Sequence, residues 1–484
     1  MFRYFVILFL SFILKDASCS EVRTPKIAII GGGIGGASAA HFLSELFNNN
    51  VKIDLYEAVK IGGRLATTKI NGYEYEAGGT IIHTKNKYMQ DFVKLLGLEH
   101  RSDGDEKFGI WNGAEIIFEE SSSKIFTLAK LMYEYGLQPF RLNSYVDSIL
   151  SDFVKIYDLH NKGYYFTNVT SMLAAMNEEF PKLLQVSFKD HLLRLGYAEK
   201  LIDELVEAPL LVDYGQTTNI HSFVGCVTLA AASGNLWAVK GGNKKVPEHL
   251  IYRNVNVNVV PSYVKKIRYT TSNGIPLYEV HYSNEASIDE MKDHYDIVIF
   301  ATPLTKDQKM QITFEEIPID NLQFLGEYHT TFVTFVKGDL NPHYFGLEEE
   351  LDSIISCSSN TRIASVSKLN TVEGPINKLK LWKIFSNDSL PLDVINSIFL
   401  NIDEVKEISW KAYPEYSTDV RLDKFKLYDG LYHVNAIEWA ASAMEMSAIG
   451  GRNVAILAHN EFLKKSANKP DESDASKKIP KMEL

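Results

Sequence analysis

Five glycines within one short segment form the most distinctive chemical feature of the sequence. Gly31, Gly33 and Gly36 have the spacing Gly-x-Gly-x-x-Gly and follow the continuous apolar run KIAII at residues 26–30. This spacing suits a tight turn at Gly31, a close approach of backbone to a pyrophosphate at Gly33, and close packing of a helix on a strand at Gly36. A helix that begins here directs free N–H groups toward the phosphates. The segment therefore predicts a dinucleotide site between a buried strand and a helix.

An acidic residue follows where such a site would bind the adenosine ribose. Residues 51–56 (VKIDLY) are predicted to be a second strand, and Glu57 follows them, 21 residues after Gly36. A carboxylate there accepts hydrogen bonds from the ribose hydroxyls and repels a 2′-phosphate, which disfavours NADP. The plainer alternative is a glycine-rich turn in an ordinary α/β protein, with Glu57 solvated. The glycine loop does not distinguish NAD from FAD.

The overall composition limits the classes of function. The chain has 484 residues, of which 45% are hydrophobic and 23% charged, and its formal charge is −11. Because it lacks a dense stripe of Lys and Arg, we expect no nucleic-acid partner. We find neither a metal-ligand cluster nor a nucleophile motif, so no metal site is predicted. The chain has three cysteines, Cys19, Cys226 and Cys357, and the sequence leaves open whether Cys226 and Cys357 form a disulfide.

The two ends of the chain carry targeting features. Arg3, the apolar run at residues 5–14 and the small residues at 17–19 predict a signal peptide at residues 1–19. The later chain has no apolar run long enough for a stable membrane span. Residues 464–484 are polar and are predicted to be a disordered tail. They end in KMEL, which differs at one position from a common ER-retention signal.

Two sequence triplets would be N-glycan acceptors in a secretory protein. They begin at Asn168 and Asn387. The signal peptide and these triplets predict the secretory pathway.

The segment after Glu57 resembles a known cofactor motif. Glu57 is followed after four residues by Gly62-Gly63-Arg64, as in the flavin amine oxidase superfamily. The resemblance implies FAD, with this turn around its diphosphate and the Arg64 guanidinium on a phosphate. Gly78, Gly79 and Thr80 would then place backbone against the flavin or a phosphate.

Later stretches resemble the remaining cofactor elements of that superfamily. The resemblance implies a backbone group near Val264 against adenine. It also implies a closing helix whose start, with Glu445, Met446 and Ser447, faces the flavin or the pyrophosphate.

Several blocks are more specific and resemble the prenylcysteine oxidase family. They are residues 62–67 (GGRLAT), 75–83 (YEAGGTIIH), 236–243 (LWAVKGGN) and 438–449 (EWAASAMEMSAI). The resemblance implies an FAD-dependent oxidase that uses O2 and cleaves S-farnesyl- or S-geranylgeranyl-cysteine to cysteine, a prenyl aldehyde and hydrogen peroxide. It also implies a lysosomal protein, although the ER lumen and secretion stay open.

His83 is the candidate for a catalytic group near the flavin, because it closes the Gly-Gly-Thr segment. A structural histidine is the plainer alternative. Lys240 is either near the flavin ring or solvated, and the sequence leaves both open.

The predicted fold class is α/β, with a Rossmann-type FAD-binding domain and an inserted mixed α+β substrate domain. The FAD-binding domain is expected at residues 25–101, 236–304 and 425–463, and the substrate domain at 102–235 and 305–424. Apolar spacing predicts helices over 126–135, 144–156 and 187–206, and strands over 330–336 and 379–385.

Two alternatives to the thioether oxidase remain. A flavin amine oxidase acting on a polyamine or another amine would share the fold and the cofactor motifs. A non-catalytic FAD-binding or lipid-binding relative would retain the glycines, Glu57 and Arg64 without turnover.

Overall fold

The structure is a computed structural model. It describes residues 23–101, 107–232, 236–272, 275–284, 290–317, 322, 324–376, 380–419 and 424–467. The predicted signal peptide and most of the predicted tail lie outside these ranges.

The chain alternates between short strands and helices. The strands are β1 (Lys26–Ile30), β2 (Lys52–Tyr56), β3 (Thr67–Ile70), β4 (Tyr73–Glu76), β5 (Ile82–His83), β6 (His100–Arg101), β7 (Phe108–Trp111), β8 (Ile116–Glu119), β9 (Leu236–Val239), β10 (Val257–Val260), β11 (Tyr263–Ser272), β12 (Ile275–Ser283), β13 (Met291–Tyr295), β14 (Ile297–Phe300), β15 (Thr313–Glu315), β16 (Tyr328–Leu340), β17 (Ser353–Ser356), β18 (Ile363–Lys368), β19 (Leu381–Ser386), β20 (Phe399–Pro414), β21 (Lys426–Tyr428) and β22 (Leu431–His433). The α-helices are α1 (Ile34–Leu46), α2 (Lys87–Leu96), α3 (Lys124–Tyr135), α4 (Gln138–Phe153), α5 (Lys155–Asn161), α6 (Val169–Met176), α7 (Phe180–Leu183), α8 (Phe188–Arg194), α9 (Glu199–Leu201), α10 (Glu207–Tyr214), α11 (Ser222–Ala232), α12 (Lys245–Tyr252), α13 (Leu392–Ile398) and α14 (Met444–Ala467).

A six-stranded sheet carries the predicted dinucleotide site. Its order is β10-β2-β1-β14-β22-β21, and every pairing is parallel except that of β21 with β22. β1 is continuous in apolar residues because both faces of the sheet are covered, and Ile27, Ala28 and Ile29 are fully buried. The predicted α/β class with a Rossmann-type domain is confirmed.

The closing helix α14 packs directly on α1 and on the 3-10 turn at Val434–Trp439, and one glycine allows each close approach. A Cβ on Gly451 would lie 2.7 Å from the carbonyl oxygen of Gly35 in α1, and one on Gly450 would lie 3.0 Å from that of Val434. Glycine costs about 1 kcal/mol in a helix interior, and here that cost allows two backbones to approach closely. The chain continues as helix to Ala467, beyond the predicted start of the tail at 464.

A second sheet and a group of helices form the other lobe. The sheet has the order β20-β16-β19-β18-β17-β7-β8, so strands from residues 108–119 and 328–414 share it. Helix α10 packs on β17 and β18 of this sheet, and α11 packs on α10 and α4. The predicted helix over 187–206 is divided into α8, α9 and a π-helical turn at Ile202–Val206. Within the described ranges, none of the helices has the length and apolarity to cross a bilayer.

Candidate cofactor groove and adjoining cavity

The predicted glycine loop lies between β1 and α1, with each glycine in a distinct environment. Gly31 has φ +109°, and a Cβ there would lie 2.5 Å from the carbonyl oxygen of Ala301. A Cβ on Gly36 would lie 2.0 Å from the carbonyl oxygen of Gly31, so glycine is required where α1 packs on the loop. Gly33 differs, because a Cβ there would meet nothing closer than the carbonyl oxygen of Gly62 at 3.9 Å.

The second glycine turn lies beside the first. Gly33 and Gly62 form a parallel bridge, and the Gly62 N–H donates to the carbonyl oxygen of Gly32 at 2.9 Å. Gly63 is exposed and has φ +56°, and a Cβ built on it would lie 3.4 Å from the Gly33 Cα. The two motifs that the sequence assigns to one diphosphate are therefore adjacent in space.

The start of α1 has the electrostatic character that a diphosphate requires. Gly33 is its N-cap, no side chain accepts from the free N–H groups, and the first turn contains no acidic residue. The N–H groups and the helix dipole favour an anion there. Open space at Gly33 and these unsatisfied donors fit the diphosphate of FAD.

Glu57 follows β2 and is half-buried. It lies at the edge of the space beside the two glycine turns and the start of α1, which we call the cofactor groove. Its Oε2 accepts from the Gly32 N–H at 2.8 Å and its Oε1 accepts from the Val59 N–H at 2.9 Å. The carboxylate is thus held beside the glycine loop, and its remaining lone pairs can accept from ribose hydroxyls.

Arg64, for which the resemblance implies a phosphate contact, makes several contacts within the protein. Its guanidinium forms a two-point ion pair with Glu438, and Nη1 also donates to the carbonyl oxygen of Ala412 at 2.7 Å. Glu438 is 1% exposed and also accepts from the Tyr328 hydroxyl at 2.9 Å. Because β20 contains Ala412, Arg64 connects the cofactor groove to the sheet of the other lobe.

Gly78, Gly79 and Thr80 continue the groove into a large cavity. A Cβ on Gly78 would lie 1.9 Å from the carbonyl oxygen of Arg64, so this position requires glycine. The buried Asn243 side chain donates to the carbonyl oxygens of Gly79 at 3.0 Å and Thr80 at 2.8 Å. The segment is therefore held in shape by the Asn243 side chain and by its close contact with the backbone of Arg64.

The start of α14 lies near this segment, and Glu445 lines the same cavity while its carboxylate is held by α2. The Glu445 carboxylate accepts from the N–H groups of Tyr88 and Met89 at 2.8 and 3.0 Å, and from the Tyr157 hydroxyl at 2.8 Å. It thereby satisfies the free end of α2, and burial raises its pKa to about 7. Glu445 thus caps α2 and also lines the cavity, and its place at a helix start that faces the cofactor stays a prediction.

The neighbours of Glu445 remain at the cavity and the groove. Met446 lines the cavity, and Ser447 lies against Gly35 in the first turn of α1. Val264 is buried in β11 at an irregularity in its pairing with β12, in the core that contains Ala28 and Tyr56. Met446 and Ser447 on α14 therefore lie beside the cavity and α1, whereas Val264 on β11 lies in the core beside β1 and β2.

His83 also lies in the cavity wall. It ends β5, its Nδ1 accepts from the Lys85 N–H at 3.0 Å, and burial lowers its pKa. It is therefore neutral near pH 7, with one nitrogen occupied by a local backbone contact. Lys240 lies at the surface, where it pairs with Glu99 at 2.8 Å.

The adjoining cavity has a volume of about 1050 Å³ and two different walls. One wall comes from the α4 region and α11 and is apolar. Its residues are Ile149, Leu150, Phe153, Val154, Phe223, Val227, Ala230 and Ala231. The rest of the lining, which we call the polar wall, comes largely from strands and their loops. Beside apolar residues such as Trp237, Leu369 and Phe385, it carries the polar and charged residues Glu76, Thr80, Arg101, Ser365, Ser367, Asn370 and Lys383. The cavity thus suits a molecule with one long apolar part and one charged part.

Three charged residues that the sequence did not single out concentrate at the polar wall. Glu76, Arg101 and Lys383 are buried, and Lys383 Nζ donates to the Thr80 hydroxyl at 3.3 Å. Burial raises the pKa of Glu76 to about 7, while the N–H of Asn243 and the positive charges of Arg101 and Lys383 oppose the rise. The one available signal was Glu76, within the recognised Tyr-Glu-Ala-Gly-Gly block.

The carboxyl of Asp213, near the end of α10, also lines the cavity. It makes no hydrogen bond or ion pair with any residue that the structure describes, and burial raises its pKa to about 7. Tyr214 and Tyr413 lie beside it. An unpaired carboxyl that titrates near neutrality is suited to accepting a proton.

Two further features bear on the sequence predictions. Cys226 and Cys357 are buried and unpaired. In the part of the chain that the structure describes, no three His, Cys, Asp or Glu side chains are grouped to hold a metal ion.

Comparison with protein families gives two matches. A family described as prenylcysteine lyase matches residues 118–472. A family described as NAD(P)-binding Rossmann-like domain matches residues 29–96, which contain the glycine loop and Glu57.

Individual proteins are similar over almost the whole chain. Prenylcysteine oxidase 1 of Rattus norvegicus is 37% identical over 93% of this chain and 92% of its own. Prenylcysteine oxidase 1-like of Bos taurus is 35% identical over 97% of both chains. Among solved structures, a putative protoporphyrinogen oxidase from Exiguobacterium sp. 255-15 has a TM-score of 0.61 at 15% identity, covering 90% of this chain and 99% of its own.

Proposed function

The chain belongs to the prenylcysteine oxidase family, and from this premise we propose that it is an FAD-dependent thioether oxidase that cleaves S-prenyl-L-cysteine. The products are cysteine, a prenyl aldehyde and hydrogen peroxide, and the reaction consumes one O2 and one water. Such an enzyme acts in the degradation of prenylated proteins. FAD, when bound, supplies the hydride acceptor and transfers the electrons to oxygen.

The observation that carries this proposal is the two-sided cavity beside the cofactor groove. S-farnesylcysteine is a long apolar chain joined through sulfur to an amino acid, and the two cavity walls match these two parts. A polyamine would instead place several cations against the apolar wall of α4 and α11, at a high desolvation cost.

The polar wall orients the amino-acid end of the substrate. Arg101 and Lys383 attract the carboxylate, since both are buried cations at the cavity surface. The apolar wall holds the prenyl chain and excludes water from it, leaving the C–S bond between the two regions.

Asp213 moves the proton that the reaction releases. Loss of hydride from the carbon attached to sulfur leaves a cation to which water adds, and the water must lose a proton. An Asp213 carboxylate oxygen accepts it, because the group is at the cavity surface and has no partner among the described residues. The resulting hemithioacetal then collapses to aldehyde and free thiol.

Product analysis tests the proposal against its two rivals. Purified protein given S-farnesylcysteine in air should form farnesal, free thiol and peroxide in equal amounts. Aldehyde with ammonia or an amine in place of free thiol would indicate an amine oxidase. Retained FAD without any product from thioethers or amines would indicate a non-catalytic relative.

A variant pair tests the polar wall. Lys383→Met removes a buried cation at the cavity. Lys380→Met instead removes a cation that lies just before β19 and pairs with Glu350. A lost charged hydrogen bond corresponds to about a tenfold or larger rise in KM for S-farnesylcysteine. Lys380→Met should leave KM unchanged, and equal effects of the two substitutions would remove the assignment.

We also propose that the protein works in the secretory pathway, in the lysosome. The basis is the sequence of residues 1–19 and the acceptors Asn168 and Asn387. Asn387 is exposed, whereas the Asn168 side chain accepts from the Ser171 N–H as the N-cap of α6. Protein from eukaryotic cells should lose mass on glycosidase treatment, and Asn387→Gln should remove more of that shift than Asn168→Gln.

A further inference from the structure

Helix α3, in the other lobe, presents its apolar face to solvent. Ile125, Phe126, Met132 and Tyr133 are 77%, 66%, 49% and 86% exposed, and Leu128 is also exposed. Among the residues of this helix, Tyr135 alone is buried. An ordinary surface helix has the opposite arrangement, with its apolar face against the core.

The exposed apolar residues form one continuous surface along the helix. At about 100° per residue, Leu128, Met132, Ile125, Tyr133 and Phe126 fall within an arc of about 160°. Leu131 and Tyr135, which contact the protein core, project beyond one end of this arc, next to Leu128. Leu137 and Phe140, just beyond the helix, extend the exposed apolar surface. We call the seven exposed residues the α3 surface: Ile125, Phe126, Leu128, Met132, Tyr133, Leu137 and Phe140.

Two lysines border this surface. If the direction of Lys124 is taken as 0°, the apolar arc runs from about 40° to about 200° and Lys130 projects at about 240°, so the two lysines lie on either side of the arc. Both are exposed, and Lys130 Nζ donates to the carbonyl oxygen of Glu119. Apolar residues flanked by lysines are the pattern of helices that lie in the interface of an anionic membrane.

The α3 surface also adjoins the cavity. Glu120, Ser121, Ser122 and Lys124, immediately before and at the start of α3, line the cavity with Lys107. A molecule entering along this side passes the base of the exposed helix.

We propose that the α3 surface docks the protein on an anionic lipid bilayer, with α3 lying in the interface. The twelve residues of α3 span about 18 Å, which is too short to cross a bilayer but suits a helix parallel to it. The apolar residues would enter the acyl region while Lys124 and Lys130 meet lipid phosphates. The cavity would then open toward the membrane, where prenylated molecules partition; this last point rests on the proposed function.

A second copy of the chain fits the α3 surface less well. The helix contacts the protein through few residues and projects as a ridge, so a symmetric contact between two ridges would bury little area. Such a contact would also bring the lysines of both copies together. A bilayer accepts a ridge and supplies the opposite charge.

Vesicle flotation of the purified, signal-free protein tests the proposal without any turnover. Vesicles of phosphatidylcholine mixed with phosphatidylserine should carry the protein upward, and phosphatidylcholine vesicles should carry less. Phe126→Asp/Tyr133→Asp should weaken the binding about tenfold or more. The matched control is Val255→Asp/Leu392→Asp, which adds the same charge at side chains that are 92% and 69% exposed elsewhere.

Each outcome decides the question. Binding that the α3 variant loses and the control retains supports the proposal, whether or not S-farnesylcysteine is oxidised. Equal loss in both variants, or no binding by the unaltered protein, overturns it. Self-association that only the α3 variant abolishes, without vesicle binding, would overturn it in favour of a second copy. Circular dichroism and FAD content of the variants establish that they are folded.

Discussion

Two glycines three positions apart should respond in opposite ways to alanine. A Cβ on Gly33 meets nothing nearer than 3.9 Å, and its φ of −75° suits any L-residue. Gly33→Ala should therefore fold normally and change the free energy of unfolding by less than about 1 kcal/mol. Its methyl group nevertheless fills the space that the FAD diphosphate needs.

Gly36→Ala is the opposite case. Its Cβ would lie 2.0 Å from the backbone oxygen of Gly31, which no side-chain rotation relieves. Since β1 and α1 must separate to admit it, we expect destabilisation of about 2 kcal/mol or more.

Denaturant unfolding of the FAD-free proteins and FAD titration separate the two effects. Gly33→Ala should retain the unfolding midpoint of the unaltered protein and bind FAD at least tenfold more weakly, which corresponds to about 1.4 kcal/mol. Gly36→Ala should lose stability before cofactor is added. Full FAD affinity in a well-folded Gly33→Ala protein would show that the diphosphate does not lie at the start of α1.

Three other substitutions test individual contacts. Arg64→Met should reduce the free energy of unfolding by about 2–3 kcal/mol, because it leaves the buried Glu438 carboxylate unpaired; adding Glu438→Gln should restore part of this in urea unfolding, and no recovery would argue against the pair. Glu445→Ala should cost about 2 kcal/mol by uncapping α2 while leaving FAD affinity unchanged, whereas a loss of FAD affinity without a loss of stability would favour a direct cofactor role over the capping role. Folding favours protonated Asp213, because the pKa of this carboxyl rises from 3.8 to about 7. Its contribution to the free energy of unfolding is therefore complete below pH 3.8 and is lost as the pH rises through about 7. Asp213→Asn should remove that decline from a pH series of unfolding midpoints and lower kcat, and an unchanged series would mean that the group is not perturbed.

The cofactor loop was predictable because its determinants are local. The glycine spacing, the apolar run of β1 and Glu57 all lie within 32 residues of sequence, and each has a defined backbone task. The fold class followed from the same segment together with the order of later motifs.

Contacts between distant residues were not predictable from the sequence. Arg64 and Glu438 are 374 positions apart, and Glu445 meets Tyr88 across 357 positions. A motif shows which residue types are present, but the partner of a buried charge depends on how the lobes pack. Asp213 belongs to the same class, because it lies in no motif and is notable only for the cavity that it faces.

Local periodicity also had a limit in the helical lobe. The apolar spacing over 187–206 predicted one helix, but Gly196, with φ +81°, interrupts it. Two short helices and a π-turn result, and the π-turn precedes α10, which carries Asp213. The cavity residues Val212, Asp213 and Tyr214 thus lie on the regular helix that follows this irregular segment.

Anaerobic mixing of the FAD-loaded protein with S-farnesylcysteine tests the proposed function most directly. The oxidised flavin absorbance should bleach, and peroxide and free thiol should appear when air is admitted. A flavin spectrum that stays oxidised with S-farnesyl- and S-geranylgeranyl-cysteine would contradict thioether oxidation.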